Sequence, residues 1–186
     1  MPVRAARRLT ENITAEDFTA QEDTMTELFQ NLSLLAATIA LGMMAGLFTA
    51  FSYAIMPGLA RTGDRTFVHA MQRINVAILN GWFGFGFAGS LIFTAIAAVL
   101  HLGAGDRDAL PWIIAALVLY VATLAITFRV NVPLNNELDR AGEPGAVTDP
   151  GAVRRRFEAT WVRWNHVRSV TSTLALGCLA WALLQH

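Results

Sequence analysis

Residues 161–170 read WVRWNHVRSV: two tryptophans, an asparagine, a histidine and two arginines directly ahead of an apolar run. On a continuous helix Trp161, Asn165, Arg168 and Ser172 fall at i, i+4, i+7 and i+11 and share one face, with Trp164, Arg168 and Thr171 as the adjoining stripe. An aromatic plane, an amide, a guanidinium and hydroxyls would then descend together into lipid, where a cation is costly unless paired or solvated. That face can be the wall of a binding site. It can also be an interfacial anchor, since Trp and Arg serve that purpose at membrane boundaries.

A second constellation is RVNVPLNNEL, residues 129–138. Pro133 lacks an N–H and clashes with the carbonyl of residue 129, so the helix is expected to kink or unwind there. Asn131, Asn135 and Asn136 surround the expected break, and freed carbonyls with amide side chains suit neutral or anionic oxygen ligands. Irregular backbone survives at membrane depth only where protein buries it or a water-filled cavity meets it. Asn75, Asn80, Gln72 and His69 fall on the same side of the membrane. His69 and His166 are candidate bases, each with a structural reading beside the catalytic one. No HxxxH or ExxH spacing occurs, so no metal site is expected. The single Cys178 sits in an apolar segment and provides neither a disulfide framework nor a metal site. Nothing resembles a phosphate-binding glycine loop or a dinucleotide fingerprint, and no chain of intramembrane acids suggests a proton-coupled pump.

The elements that must position these groups are membrane helices. The 186 residues are 54% hydrophobic and 15% charged, with mean hydropathy +0.44. An average soluble domain carries about a quarter charged residues. Three segments are long and apolar enough to span a bilayer, and the run before residue 185 extends a fourth. The spans are placed at about 32–56, 82–102, 110–130 and 167–185 in a membrane domain covering 28–186. A soluble bundle would need a polar stripe along each helix, and the first three segments have none. The fold class is therefore all-α: a four-transmembrane-helix bundle with an interfacial amphipathic helix in loop 1 and a helical extension before the fourth span.

In loop 1, DRTFVHAMQRINVAIL sets Phe67, Met71, Ile74 and Ile78 at helical spacing, with Asp64 as N-cap. Loop 3 divides into a continuation of the third span, the Gly/Pro punctuation AGEPGAVTDPG, and a helix starting near Asp149-Pro150 that runs into the fourth span. RIN at 73–75 echoes RWN at 163–165. Residues 1–27, basic and polar without an apolar core, read as a disordered tail or a misplaced start rather than a secretory signal. Arginines concentrate in loops 1 and 3, which the positive-inside tendency places in the cytoplasm. All 14 basic residues are Arg and balance 14 acids, which offers no argument for a nucleic-acid partner, and none is expected. Gly42, Gly46, Gly86 and Ser90 supply small-residue faces for close helix packing, and they allow a homodimer.

The order GLFTAFSYAIMPGL, FVHAMQRINVAILNGWF, NVPLNNEL and WVRWNHVRSVTS resembles the anthrone oxygenase-like (DUF1772) family of small integral membrane proteins, over about residues 28–185. One departure is Asn80-Gly81, where Asn-Pro is expected. The resemblance implies a bundle in the plasma membrane of a bacterium. It further implies oxidation of an anthrone, or a similar hydrophobic polycyclic phenol or ketone, by O₂ without metal, flavin or other cofactor. On that reading His166 or His69 is the base, and Arg168 with Asn165, Asn131 and Asn135 holds the developing oxyanion. Trp161 and Trp164 are the walls, with Asn75 and Pro133 completing the substrate site and the substrate arriving from the bilayer. A non-catalytic reading stays open beside it: a membrane protein that binds lipid, quinone or a hydrophobic metabolite, or scaffolds a partner.

Overall fold

The computed structural model describes the backbone of residues 2–103, 108–143 and 146–185, and side chains from Phe18 onward with Thr19 excepted. Among the described residues every regular element is helical: α1 (Pro2–Ala50), α2 (Met56–Ala60), α3 (Asp64–Ala77), α4 (Gly81–Leu102), α5 (Leu110–Ile126), α6 (Val132–Arg140) and α7 (Pro150–Gln185). Ala20–Ala60, Gly81–Leu102, Leu110–Arg140 and Pro150–Gln185 are long and apolar enough to cross a membrane. Helices satisfy their own backbone groups, which lipid requires. The protein is an all-α membrane bundle. α1 packs against α4 and α7, and α5 closes the bundle against α7 and, more loosely, α4. Leu34, Leu41, Phe48, Ile113, Tyr120 and Leu179 form the core between them.

The expected tail over 1–27 falls largely on residues whose side chains are not described. From Gln21 to Phe29 the chain is helical and every side chain is exposed; the first buried side chain among the described residues is Gln30, whose Nε2 donates to the Leu100 carbonyl at 2.8 Å. Asn80 caps α4, its Oδ1 accepting from the Trp82 and Phe83 amides at 3.0 and 3.1 Å, so the Asn-Gly pair still gives a well-defined start. At the head of α7 the Asp149 carboxylate accepts from the Ala152 amide at 2.9 Å. The helix then runs 36 residues through both the extension and the fourth span.

Two local expectations change. Asp64 does not cap α3: Gly63 holds that position, and Asp64 instead pairs with Arg154 at 3.0 Å. Pro133 does not break the third span either. The chain passes from α5 to α6 through a π-helical turn, Thr127–Asn131, with the Val132 amide bonded to the Thr127 carbonyl. One extra residue in the turn shifts the hydrogen-bond ladder and lets a proline be accommodated without unwinding.

The same device occurs in the first half, where a π-turn at Phe51–Ile55 precedes Pro57 at the same spacing. The likeness extends further. Arg65, Phe67, Arg73 and Asn75 on α3 match Arg155, Phe157, Arg163 and Asn165 on α7 in type and spacing, so the RIN/RWN echo belongs to a longer repeat. The equivalent Phe67 and Phe157 meet edge to face, centroids 6.2 Å apart. Phe67, Val68 and Met71 bury the apolar face of α3 against Phe157 and Trp161, so this helix is seated on protein.

Reciprocal clamps hold the arginine-rich ends. From α3, Gln72 Nε2 donates to the Leu138 and Gly142 carbonyls at the end of α6, 2.8 and 3.1 Å away. From α7, Arg154 donates to the Ala60 and Thr62 carbonyls at 2.9 Å each, pairs with Glu158 at 2.6 Å, and lies over the Phe67 ring at 4.6 Å. Replacing Arg154 with Leu strands Asp64, Glu158 and two carbonyls. Stability in detergent is expected to fall by about 2–4 kcal/mol, read from the denaturation midpoint, with faster amide exchange across α3.

Candidate functional site

The extended face of α7 expected from its spacing is the buried one: Trp161, Asn165, Arg168 and Ser172 are 3%, 1%, 6% and 0% exposed. It faces both π-turns. Asn165 Nδ2 donates to the Phe48 carbonyl and to Ser52 Oγ, each at 2.9 Å. Both amide protons are thereby committed, which leaves Asn165 Oδ1 for Arg168 Nη2 at 2.8 Å. Ser52 and Ser169 share a hydroxyl contact of 2.8 Å, and Ser169 Oγ donates to the Asn165 carbonyl at 3.0 Å. The amide is oriented by protein groups alone.

Arg168 lies over the Phe48 ring at 4.4 Å and the Trp161 ring at 5.4 Å, and its Nη1 donates to Thr127 Oγ1 at 3.4 Å. Among the described residues no carboxylate comes within ion-pair distance of it. Its Nε is buried without a hydrogen-bond partner. Ring faces and neutral oxygens offset part of the desolvation of such a cation. They supply no negative charge, so the guanidinium keeps an uncompensated charge among the described residues.

On the facing π-turn, Asn131 Nδ2 donates to the Trp161 carbonyl at 3.4 Å, while its Oδ1 is buried with no partner. Trp161 is fixed by its own indole N–H, donated to Asn135 Oδ1 at 2.8 Å, and by Phe51 and Phe157, centroids 5.5 and 5.8 Å away. An unsatisfied donor and an unsatisfied acceptor thus both belong to the seam between α7 and the Thr127–Asn131 turn.

A family model described as anthrone oxygenase matches residues 81–178, the stretch that contains this seam. The chain belongs to the anthrone oxygenase family. No curated protein and no solved structure matches it.

In this anthrone oxygenase family member, the residues singled out by sequence do not all meet. Arg168, Asn165, Asn131, Trp161 and Asn135 do. Trp164 is half-buried on the adjoining stripe, and Pro133 is exposed, acting through the turn that precedes it. His166 is exposed on α7, and His69 is exposed on α3, where its Nε2 accepts from Arg73 at 3.3 Å. Neither histidine reaches Arg168. Asn75 is half-buried with its Nδ2 unpartnered, and no hydrogen bond joins it to the cluster. Phe48, Ser52, Thr127 and Ser169 were not anticipated. The available signal was a hydroxyl inside an otherwise apolar span a few residues before a proline, true of both Ser52 and Thr127. Among the described residues no three of His, Cys, Asp or Glu come together at a spacing fit for a metal.

Burying a cation without an anion costs stability, and burying half of a polar network costs more. Arg168→Leu is therefore expected to leave the denaturation midpoint in detergent unchanged within about 1 kcal/mol, or to raise it. Asn165→Leu, which strands Arg168, Ser52 and the Phe48 carbonyl, should lower stability by about 2–4 kcal/mol. The reverse order of the two midpoints would mean that Arg168 is a structural cation with its charge satisfied.

Proposed function

We propose that the protein catalyses oxidation by O₂ of a hydrophobic polycyclic phenol or ketone of the anthrone type, at the Arg168 cluster. The observation that carries this is a buried guanidinium facing neutral groups and aromatic rings, with no carboxylate in ion-pair distance among the described residues. Membership of the anthrone oxygenase family supports the reaction type. The reaction balances as ArCH₂ + O₂ → ArC=O + H₂O, where ArCH₂ is the methylene opposite the ring ketone. A proton leaves this carbon and the negative charge moves to the ketone oxygen, which Arg168 holds, its guanidinium set in place by Asn165. The electron-rich carbon then gives two electrons to O₂, forming a C–O bond and, after protonation, a hydroperoxide. Loss of the second C–H proton and cleavage of the O–O bond give the new ketone and water.

Electrostatic stabilisation of the oxyanion is the main contribution asked of the protein. Trp161 flanks the ring system, and the Asn131 oxygen is free to accept from a phenolic hydroxyl. Because His166 and His69 stand apart from the cluster, the base is assigned to water, with Arg168 making the substrate more acidic. Such a molecule partitions into lipid and reaches the site from the bilayer. The distribution of arginines supports a cytoplasmic position for loops 1 and 3 in a bacterial plasma membrane.

A second reading rests on the same absence of a titratable base at the cluster among the described residues. The protein would then bind a quinone or similar carbonyl compound at Arg168 without turning it over.

Oxygen uptake by the purified protein in detergent, with dithranol as substrate, separates the two. Turnover is expected, with a loss of about 10²–10³-fold in Arg168→Leu. Uptake absent in wild type, or undiminished in Arg168→Leu, would overturn the oxidation reading at this site. His166→Ala and His69→Ala are each expected to keep most of the activity. A drop of about 10²-fold or more in either would restore that histidine as general base.

A further inference from the structure

Arg168, Asn165, Asn131 and Ser172 are 6%, 1%, 1% and 0% exposed, so a ligand reaches this cluster only when side chains around it move. The spans meet along four seams, which are closed by different interactions. The α1/α7 seam is tied by Asn165 to the Phe48 carbonyl and to Ser52, and by the contact of Ser52 with Ser169. The α5/α7 seam is tied by Thr123 to Thr171 at 2.7 Å, and the turn after α5 by Arg168 to Thr127 and by Asn131 to the Trp161 carbonyl. The α1/α4 seam is closely packed: a Cβ added at Gly86 would lie 2.5 Å from the Met44 methyl, and one at Gly89 would lie 3.7 Å from Ala40 Cβ.

The α4/α5 seam differs. Tyr120 ties it, its hydroxyl donating to the Phe87 carbonyl at 2.8 Å. From there to the Thr127–Asn131 turn it is closed by rings: Phe83 stacks on Phe87, centroids 5.1 Å apart, and Phe87 meets Phe128 edge to face at 5.8 Å. Among the described residues no side-chain hydrogen bond joins α4 to that turn. Phe128 is 60% exposed, while Thr127 beside it carries the hydroxyl that Arg168 reaches. Phe83 and Phe87 pack in turn on the core that contains Phe48, whose ring lies 4.4 Å from the guanidinium. Swinging Phe128 off Phe87 gives up a ring contact that an incoming flat ring restores. Opening the seams of α7 would strand buried polar groups instead.

We propose that the α4/α5 seam is the passage by which a neutral, flat aromatic molecule moves between the bilayer and the Arg168 cluster, and that Phe128 is the side chain that opens it. The proposal rests on the oxidation reading only for what passes; the route itself needs no turnover.

The test is order of addition, with the full chain in detergent, tritiated anthraquinone as the probe, and the variant Phe87→Cys/Phe128→Cys/Cys178→Ser. A reducible bis-methanethiosulfonate linker joins the two introduced thiols. Anthraquinone added before the linker is expected to stay with the protein through gel filtration and to leave once the linker is reduced. Added after the linker it is expected to be excluded, with about tenfold less label retained. A linker that filled the binding site would exclude the probe in both orders, and one remote from the route would make the order irrelevant. Either result, or no binding to the unlinked variant, would overturn the assignment. Phe128→Ala is expected to release the probe about three- to tenfold faster at unchanged equilibrium affinity. Faster release with weaker affinity would make Phe128 a wall of the site and overturn its role in opening the passage. Order dependence without uptake of oxygen by wild type with dithranol would leave the passage standing and remove the oxidation reading; uptake without order dependence would do the reverse.

Discussion

A buried positive charge with no carboxylate in ion-pair distance among the described residues is the constraint around which this bundle is arranged. Arg168 is offset by two ring faces, an amide oxygen and a hydroxyl, drawn from α1, from α7 itself and from the turn after α5. Each neighbour is then held in place for that purpose. Asn165 is oriented by Phe48 and Ser52, and Trp161 by Asn135. Neutral dipoles leave such a cation under-compensated, which is costly for stability.

The two halves of the chain explain how that arrangement is built. Each half passes from a span through a π-turn to a proline, then to an amphipathic segment and a second span. Asn75 is the equivalent of Asn165, but the other polar groups of the seam have apolar equivalents. The position equivalent to Arg168 is Ile78, and the positions equivalent to Asn131 and Ser52 are Ile55 and Phe128. The repeat supplies two similar scaffolds, and substitution adds a guanidinium and hydroxyls to the α7 face, whereas its α3 counterpart keeps only the amide, Asn75. The seam draws a hydroxyl from each π-turn, Ser52 from the first and Thr127 from the second, because α7 packs between them.

The arginine-rich end ties this seam to the surface. Arg154 and Gln72 lock α2, α3, α6 and α7 together through backbone carbonyls, so the layer containing Phe157 and Trp161 rests on a braced frame. The stretch that matches the anthrone oxygenase family contains Asn131, Trp161, Asn165 and Arg168 of this seam.

The sequence by itself determined four membrane helices, because length and apolarity are local properties that lipid enforces on each segment separately. It also determined which face of α7 is buried, since a long uninterrupted helix puts Trp161, Asn165, Arg168 and Ser172 in line whatever surrounds it. Family membership was legible in the motifs along that helix and around Pro133. Only the tertiary structure decided that the chain around Pro133 stays helical, because a π-turn depends on how the neighbouring helices seat the extra residue. It alone excluded His166 and His69 from the cluster and recruited Phe48, Ser52 and Thr127. Which residue of one helix faces which residue of another is set by packing register, and no periodicity within a single segment contains that information.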